Sequence, residues 1–205
     1  AKYEDKLFPE TKEKINKARH GLLELQKEAE EERLNADFYL VYNGIHENIL
    51  AYADKLDIDL IVMGTHGMGG LKELFLGSNA QRIVRMSKCP VLTIKHSNPN
   101  FTVNNIVYAS DFEDQKTLKN LGSLVEFSKV FDANIHLLFV NTPSLFEDTS
   151  TSMKKMMKVA KDFGVDSDNL HIYNHSIVEG GVIEFTENGN YDLVALTTYG
   201  YTGLK

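Results

Sequence analysis

The sequence contains one cysteine, no tryptophan and four prolines in 205 residues. A single thiol, Cys89, excludes an internal disulfide framework and any thiolate-rich metal cage. No run approaches the roughly 20 apolar residues that a bilayer-spanning helix needs. Positive charge is also in the minority: 22 Lys and Arg face 29 Asp and Glu, a formal net charge of -7. Broad electrostatic capture of nucleic acid or of an anionic membrane is therefore not expected, while a local phosphate pocket is compatible with that balance. What is present is an ordinary globular composition, 42% hydrophobic and 25% charged. The length suits one large domain or two of about 100 residues. The chain opens at Ala1 in a charged, helix-forming stretch with neither a signal peptide nor an initiating Met. That reads as a cytoplasmic protein whose N-terminal end is missing.

A repeat runs through the chain. DLIVMGTHGMGGLK, Asp59 to Lys72, lines up with DLVALTTYGYTGLK, Asp192 to Lys205, at a constant offset of 133 residues. Seven positions are identical, among them Asp59 with Asp192, Thr65 with Thr198, Gly67 with Gly200 and Gly70 with Gly203. Upstream, the same offset pairs Ile45, Ile49, Leu50 and Tyr52 with Val178, Val182, Ile183 and Phe185, preserving the apolar face of a helix. This is the pattern of a tandem duplication. The run IVYASD, Ile106 to Asp111, opens the second copy, but its counterpart falls before Ala1. Gly77 and Ser78 in turn map beyond Lys205. Both copies are expected to be incomplete, the chain being a fragment cut inside each.

Periodicity gives the element order. The opening segment to about Asn35 reads as a helix with Ile15, Ala18, Leu22, Leu25 and Ala29 in one stripe, which fits a helix covering a sheet better than a coiled-coil seam. A strand is expected at Phe38–Tyr42, a helix at His46–Leu56, and a strand buried on both faces at Leu60–Gly64. A glycine loop, a helix at Ser78–Met86 and a strand at Val91–Ile94 follow. The polar stretch His96–Asn104 is read as the linker between domains 1–97 and 98–205. Beyond it, strands at Ile106–Ala109, Ile135–Val140, His171–Tyr173 and Leu193–Leu196 alternate with helices at Gln115–Phe131, Met153–Phe163 and Val178–Glu187, after a Ser/Thr-rich loop at Thr142–Ser152. Alternation of this kind builds parallel sheets with helices on both faces, an α/β fold. Ligands in such folds sit beyond the carboxyl ends of the strands.

The chemistry concentrates in MGTHGMGGLKELFLGSN, Met63 to Asn79. Glycines let an anion approach the main chain, and the first-turn N–H groups of a following helix point outward, with Ser78 as candidate cap. Strand, glycine loop and helix start together form a phosphate cradle. It is neither a Walker A loop nor a GxGxxG fingerprint, and taken alone it could be a glycine-rich turn with ordinary capping.

The spacing Gly64-x2-Gly67-x9-Gly77-Ser78, with the flanking runs LIVMGTHG and CPVLTIK, resembles the nucleotide-binding signature of the universal stress proteins. NNIVYASDF, Asn104 to Phe112, resembles the start of a second such domain, and the likeness is to the tandem-domain bacterial type. The resemblance implies two Rossmann-like domains, each with a parallel five-stranded sheet and each incomplete here, that bind ATP, with or without Mg. It implies that the backbone at Gly64, Gly67, Gly77, Ser78 and Asn79 holds phosphates and ribose, with Met63 beside them; His66, from its place inside the loop, is read either as a phosphate contact or as a packing or hydrogen-bonding residue. Asp111 would hold the nucleoside in the second domain, and the strand end near Val140 would meet adenine. Thr197 stands where Gly64 stands in the first copy, so the second cradle is altered.

Other residues invite chemistry and are set aside. His171 and His175 lack a third ligand at zinc spacing, and no metal site is expected. Cys89 reads as a buried structural thiol, Met153, Met156 and Met157 as a core face, and the Glu28, Glu30, Glu31, Glu32 run as solvated. No Ser-His-Asp order appears. The implied function is a nucleotide-dependent binding or regulatory module in the stress response. Its partners would be an adenine nucleotide and, through sheet edges, the other tandem domain or a second chain. Catalysis, if any, would be weak ATP hydrolysis, since no general base or arginine finger is evident. The alternatives are an ATP-using hydrolase or adenylyl transferase, and a nucleotide-free dimerisation module.

Overall fold

The structure is a computed structural model that describes residues 9–41, 44–65, 77–95, 101–113 and 115–197. The chain divides into two compact units, residues 1–55 and 56–205.

In the first unit, α1 (Pro9–Glu31) and α2 (Ile45–Lys55) are the regular elements described. Of the expected α1 stripe only Ile15 is buried, and Ala18 and Leu25 are exposed. The described part of this unit contains no strand. Residues 38–41 of the strand expected at Phe38–Tyr42 are not in a strand. Residues 34–41 are irregular and are held instead by the Gln26 side chain, which donates to the Ala36 carbonyl at 2.6 Å, and by Tyr39, whose ring lies 4.6 Å from that of Tyr52. The reason is physical: strand residues become a strand only when a neighbour takes up their backbone hydrogen bonds. Tyr42 itself lies outside the described residues.

The second unit runs β1 (Ile61–Gly64), α3 (Ser78–Met86), β2 (Val91–Ile94), β3 (Asn105–Ala109), α4 (Gln115–Phe131), β4 (Asn134–Asn141), α5 (Thr149–Phe163), β5 (Leu170–Asn174), α6 (Val178–Glu187) and β6 (Leu193–Leu196). β1 and β2 pair in parallel, Ile61 opposite Val91. The other strands make a parallel sheet in the order β5-β4-β3-β6, with Ile106 opposite both Ile135 and Leu193. A helix separates consecutive strands within each sheet, which is what parallel pairing requires. In place of two five-stranded sheets, the described residues therefore form one of two strands and one of four.

The core sits on both faces of the larger sheet. Tyr108, Leu137, Phe139, Leu121, Met156 and Val159 pack on one side, and Val107, Leu138, Val140 and Val182 on the other. β3 and β4 are thus the doubly buried strands. β1 is not: Val62 is 55% exposed between the half-buried Ile61 and Met63. α5 begins at Thr149, inside the stretch read as loop, because Asp148 caps it by accepting from the Thr151 N–H at 3.1 Å. It ends on Gly164 at φ +70°, a left-handed conformation that favours glycine. Of the three methionines, Met156 is buried, Met153 half-buried and Met157 exposed, so only part of that group is core. Cys89 is half-buried, its sulfur 3.4 Å from Ser87 Oγ. No helix among the described residues is long and apolar enough to cross a membrane.

Candidate functional site

The carboxyl ends of β1 and β2 carry the first group of expected site residues. Gly64 closes β1 opposite Ile94, and the next residue, Thr65, donates its N–H to the Ile94 carbonyl at 3.0 Å. The Thr65 carbonyl then accepts from the Gly77 N–H at 2.8 Å, so the chain that leaves the sheet at Thr65 returns to the same point twelve residues later. Gly77 passes its own carbonyl to the Gln81 N–H at 3.0 Å and so starts α3. Gly77 is itself the cap, and Ser78 is the first helical residue, making no side-chain capping bond; the expectation that Ser78 caps is corrected. The reason for glycine here is contact rather than a special dihedral. At φ -57° any residue is comfortable, but a Cβ would lie 3.2 Å from the Thr65 carbonyl oxygen.

Ser78 and Asn79 are exposed at the start of α3, whose Ala80 and Ile83 are buried. The first turn has no acidic residue and Arg85 lies in the last, leaving the positive end of the helix dipole open toward an anion. Met63, Gly64, Gly77, Ser78 and Asn79 are thus brought together. His66 and Gly67, with Gly69 and Gly70, lie outside the described residues.

Asp111 and Val140 belong to the other sheet. Asp111 is exposed two residues past the end of β3, and its Oδ1 accepts from the Glu113 N–H at 3.1 Å in a local turn. The side chain of Val140 is buried, and a Cβ on Gly181 of α6 would come within 2.4 Å of its Cγ1. Only the strand end beyond it is accessible, at a cleft of about 480 Å³ lined by Asn141, Thr142, Pro143, Phe146, Asn174 and His175.

Three polar networks in this sheet were not legible as sites in the sequence. Tyr108 and Thr197 share a hydrogen bond at 3.1 Å, between β3 and the residue after β6, where the strand order reverses; burial raises the Tyr108 phenol above its ordinary value. Lys155 of α5 ties together the loops after β3 and β4, with Nζ 2.7 Å from Glu113 and 2.5 Å from Glu147. Those bonds, Glu113 first, raise the Lys155 amine, while Lys155 and then Ser152 lower the Glu147 carboxyl. Lastly, His136 and His171 pair across β4 and β5. Their spacing of 35 in sequence hid the pair, although alternate positions on neighbouring strands are a signal that could have found it.

Comparison with known proteins points to one family. The sequence pattern of the universal stress protein family matches residues 2–95. That segment carries the universal stress protein family pattern, and the relatives it matches are universal stress proteins. It is 33% identical over 90 residues to universal stress protein MJ0577 of Methanocaldococcus jannaschii, covering 43% of this chain and 56% of that one. It is 33% identical over 87 residues to universal stress protein YxiE of Bacillus subtilis, covering 42% and 59% respectively. The chain spans about half the length of the curated relatives it matches. A universal stress protein from Archaeoglobus fulgidus shares the fold with a TM-score of 0.67 at 20% identity, over 93% of this chain and 68% of that one. That likeness is one of fold, and it extends well past residue 95.

Proposed function

We propose that this chain is an adenine-nucleotide-binding module of the stress response, in which the turn at Gly77–Asn79 receives the phosphates of ATP. The observation that carries the reading is the closed junction at the end of β1. The bond from Gly77 to Thr65 fixes the start of α3 at the carboxyl edge of a parallel sheet, with exposed Ser78 and Asn79 in its first turn. The donors fit a phosphate: they are backbone N–H groups at the positive end of a helix, and glycine leaves the approach open. Gly64 and Gly67 extend this surface in the reading, with Met63 and His66 beside it and Mg balancing the phosphate charge.

Occupancy then acts through binding rather than turnover, since the described residues near the junction offer no evident general base. The 133-residue repeat supports a tandem pair of domains, 1–97 and 98–205, in a cytoplasmic protein whose sheet edges meet the other domain or a second chain. The second domain binds nucleotide weakly in this reading. Thr197 replaces the glycine, and its hydroxyl is held by Tyr108 at the place where the strand order reverses. Asp111 and the strand end past Val140 would form what nucleoside contact that domain keeps.

Isothermal titration with ATP tests the proposal on the chain and its Gly77→Val variant. The branched side chain crowds the Thr65 carbonyl and closes the approach, so heat of binding is expected for the parent and at least about a tenfold weaker affinity for the variant, equivalent to 1.4 kcal/mol. A folded variant with unchanged affinity overturns the assignment.

A further inference from the structure

A relay of side-chain hydrogen bonds crosses the four-stranded sheet near the amino ends of its strands, and the nucleotide reading makes no use of it. His136 Nδ1 and His171 Nε2 are 3.0 Å apart, with the two rings stacked at 5.3 Å and 25°. His136 Nε2 lies 3.2 Å from Asn105 Oδ1, and Asn105 Nδ2 donates to the Asn190 carbonyl at 3.1 Å. The last bond fixes the protons. Asn105 commits its amide N–H to Asn190, so its Oδ1 is the acceptor and His136 carries its proton on Nε2. His136 Nδ1 is then a bare lone pair, and His171 donates to it from Nε2. The relay runs one way, from β5 through β4 and β3 to the turn that leads into β6.

Aromatic surfaces enclose the pair. Tyr191 meets His136 edge-on at 5.1 Å, Phe185 of α6 lies 5.1 Å from His171, and Phe185 stacks on Tyr191 and borders Tyr173 of β5. The acids nearby are committed elsewhere. Asp192 Oδ2 accepts from the Asn104 and Asn105 N–H groups at 2.8 and 2.9 Å, and Glu184 of α6 faces His175 at 3.5 Å. β3 contributes the neutral Asn105 and Val107.

We propose that the His136–His171 pair is an acid-sensitive joint, which locks the seam between β3 and the turn into β6 until both rings are protonated and then releases it. An intact pair accommodates one added proton: it enters at the free His171 Nδ1, and His171, now a cation, still donates from Nε2 to His136 Nδ1. A second proton sets two N–H groups of two cations head to head at 3.0 Å, which separates the rings. Both groups sit below their ordinary value of 6.5, His136 through burial and then the neighbouring imidazole, His171 through burial. When the rings part, Asn105 loses its donor from His136 and the hold on the Asn190–Asp192 turn slackens.

Hydrogen exchange followed by NMR on the whole chain tests this, at pH 7.5 and 5.5 with intrinsic rates corrected. The Asn105 amide bonds Asp192 Oδ2 and the Asp192 amide bonds the Asn105 carbonyl; both should lose about tenfold in protection on acidification. The Ser110 amide, bonded to Leu138 at the other end of β3, should change less than about twofold. Replacing both rings, His136→Phe with His171→Phe, should abolish the difference between the two ends. Should that variant not fold, ring-nitrogen shifts of the parent decide. Two Nε2–H tautomers at pH 7.5 and titration midpoints below 6.5 are expected. Equal loss of protection at both ends of β3, or midpoints at or above 6.5, would overturn the proposal.

Discussion

β1 and β6 are counterparts in sequence at the 133-residue offset, yet they leave opposite sides of the strand open. In β1, Ile61 and Met63 are half-buried and Val62 is 55% exposed. In β6, the counterpart of Val62 is Ala195, which packs against the main core, while Val194 and Leu196, counterparts of Ile61 and Met63, are 40% and 62% exposed. The two runs are equally apolar, so composition does not set which side is covered. Neighbours do. β1 pairs with β2, on which α3 packs, whereas β6 pairs with β3, in a sheet covered by α4 and α5. Burial belongs to the assembly of neighbours rather than to the strand.

The largest effect should come from the best-covered sheet. Leu137→Ala, at a fully buried β4 position, is expected to cost about 3 kcal/mol through lost transfer energy and a residual cavity, whereas Val62→Thr in β1 should stay within about 0.5 kcal/mol. Urea denaturation of both variants measures the contrast, and comparable losses would mean that β1 is covered as well as β4.

Helices at matching positions differ next. Gly181 of α6 lets the helix approach Val140 and His175, while its counterpart in α2 is Asn48, whose side chain donates to the Gly44 carbonyl at 2.8 Å. Gly181→Asn should therefore destabilise by about 2 kcal/mol through overpacking. Asn48→Gly should cost less than about 1 kcal/mol, mostly helix propensity. Equal shifts in denaturation midpoint would show that α6 can move off the sheet at little cost.

The acids that precede the two strands come third. Asp192 accepts two backbone N–H bonds from Asn104 and Asn105, and Asp59 is exposed with no such partners among the described residues. Asp192→Ala is expected to lose about 1 kcal/mol and Asp59→Ala less than about 0.5 kcal/mol, again read by denaturation.

The smallest contrast lies between helix starts. α3 is capped by Gly77 without a side chain, and α5 by Asp148, whose carboxyl is lowered to about 2 by bonds from Ser150 and Thr151. A folded-state value below the ordinary 3.8 favours the native state above 3.8, and that contribution fades as pH falls through about 2. Asp148→Asn retains a capping oxygen, so melting temperature at pH 7 should hardly change. Its decline between pH 4 and 2 should be shallower than in the parent. An identical acid profile would assign that decline to other carboxylates.

Most elements were legible because period-2 and period-3.6 patterns are local. The α6 stripe and the alternation of strands with helices could be read residue by residue, and so could the glycine spacing from Gly64 to Ser78. What escaped the reading depends on partners distant in sequence. Phe38, Leu40 and Val41 have strand character, and no neighbouring strand takes up their backbone bonds among the described residues. Asp148 moved the start of α5 four residues earlier than the hydrophobic pattern suggested. Ser78 has the chemistry of a cap, and Gly77 holds the position because its N–H reaches Thr65.

The sequence by itself determined the α/β alternation, the parallel sense of pairing and the glycine turn before α3, since each follows from local sterics, helix periodicity and the length of the connections. Only the tertiary structure decided which faces of β1 and β6 are covered, that Val140 is closed off by α6, and that His136 meets His171. These are contacts between segments 30 or more residues apart, formed when strands choose neighbours, and a linear pattern of side chains does not encode that choice residue by residue.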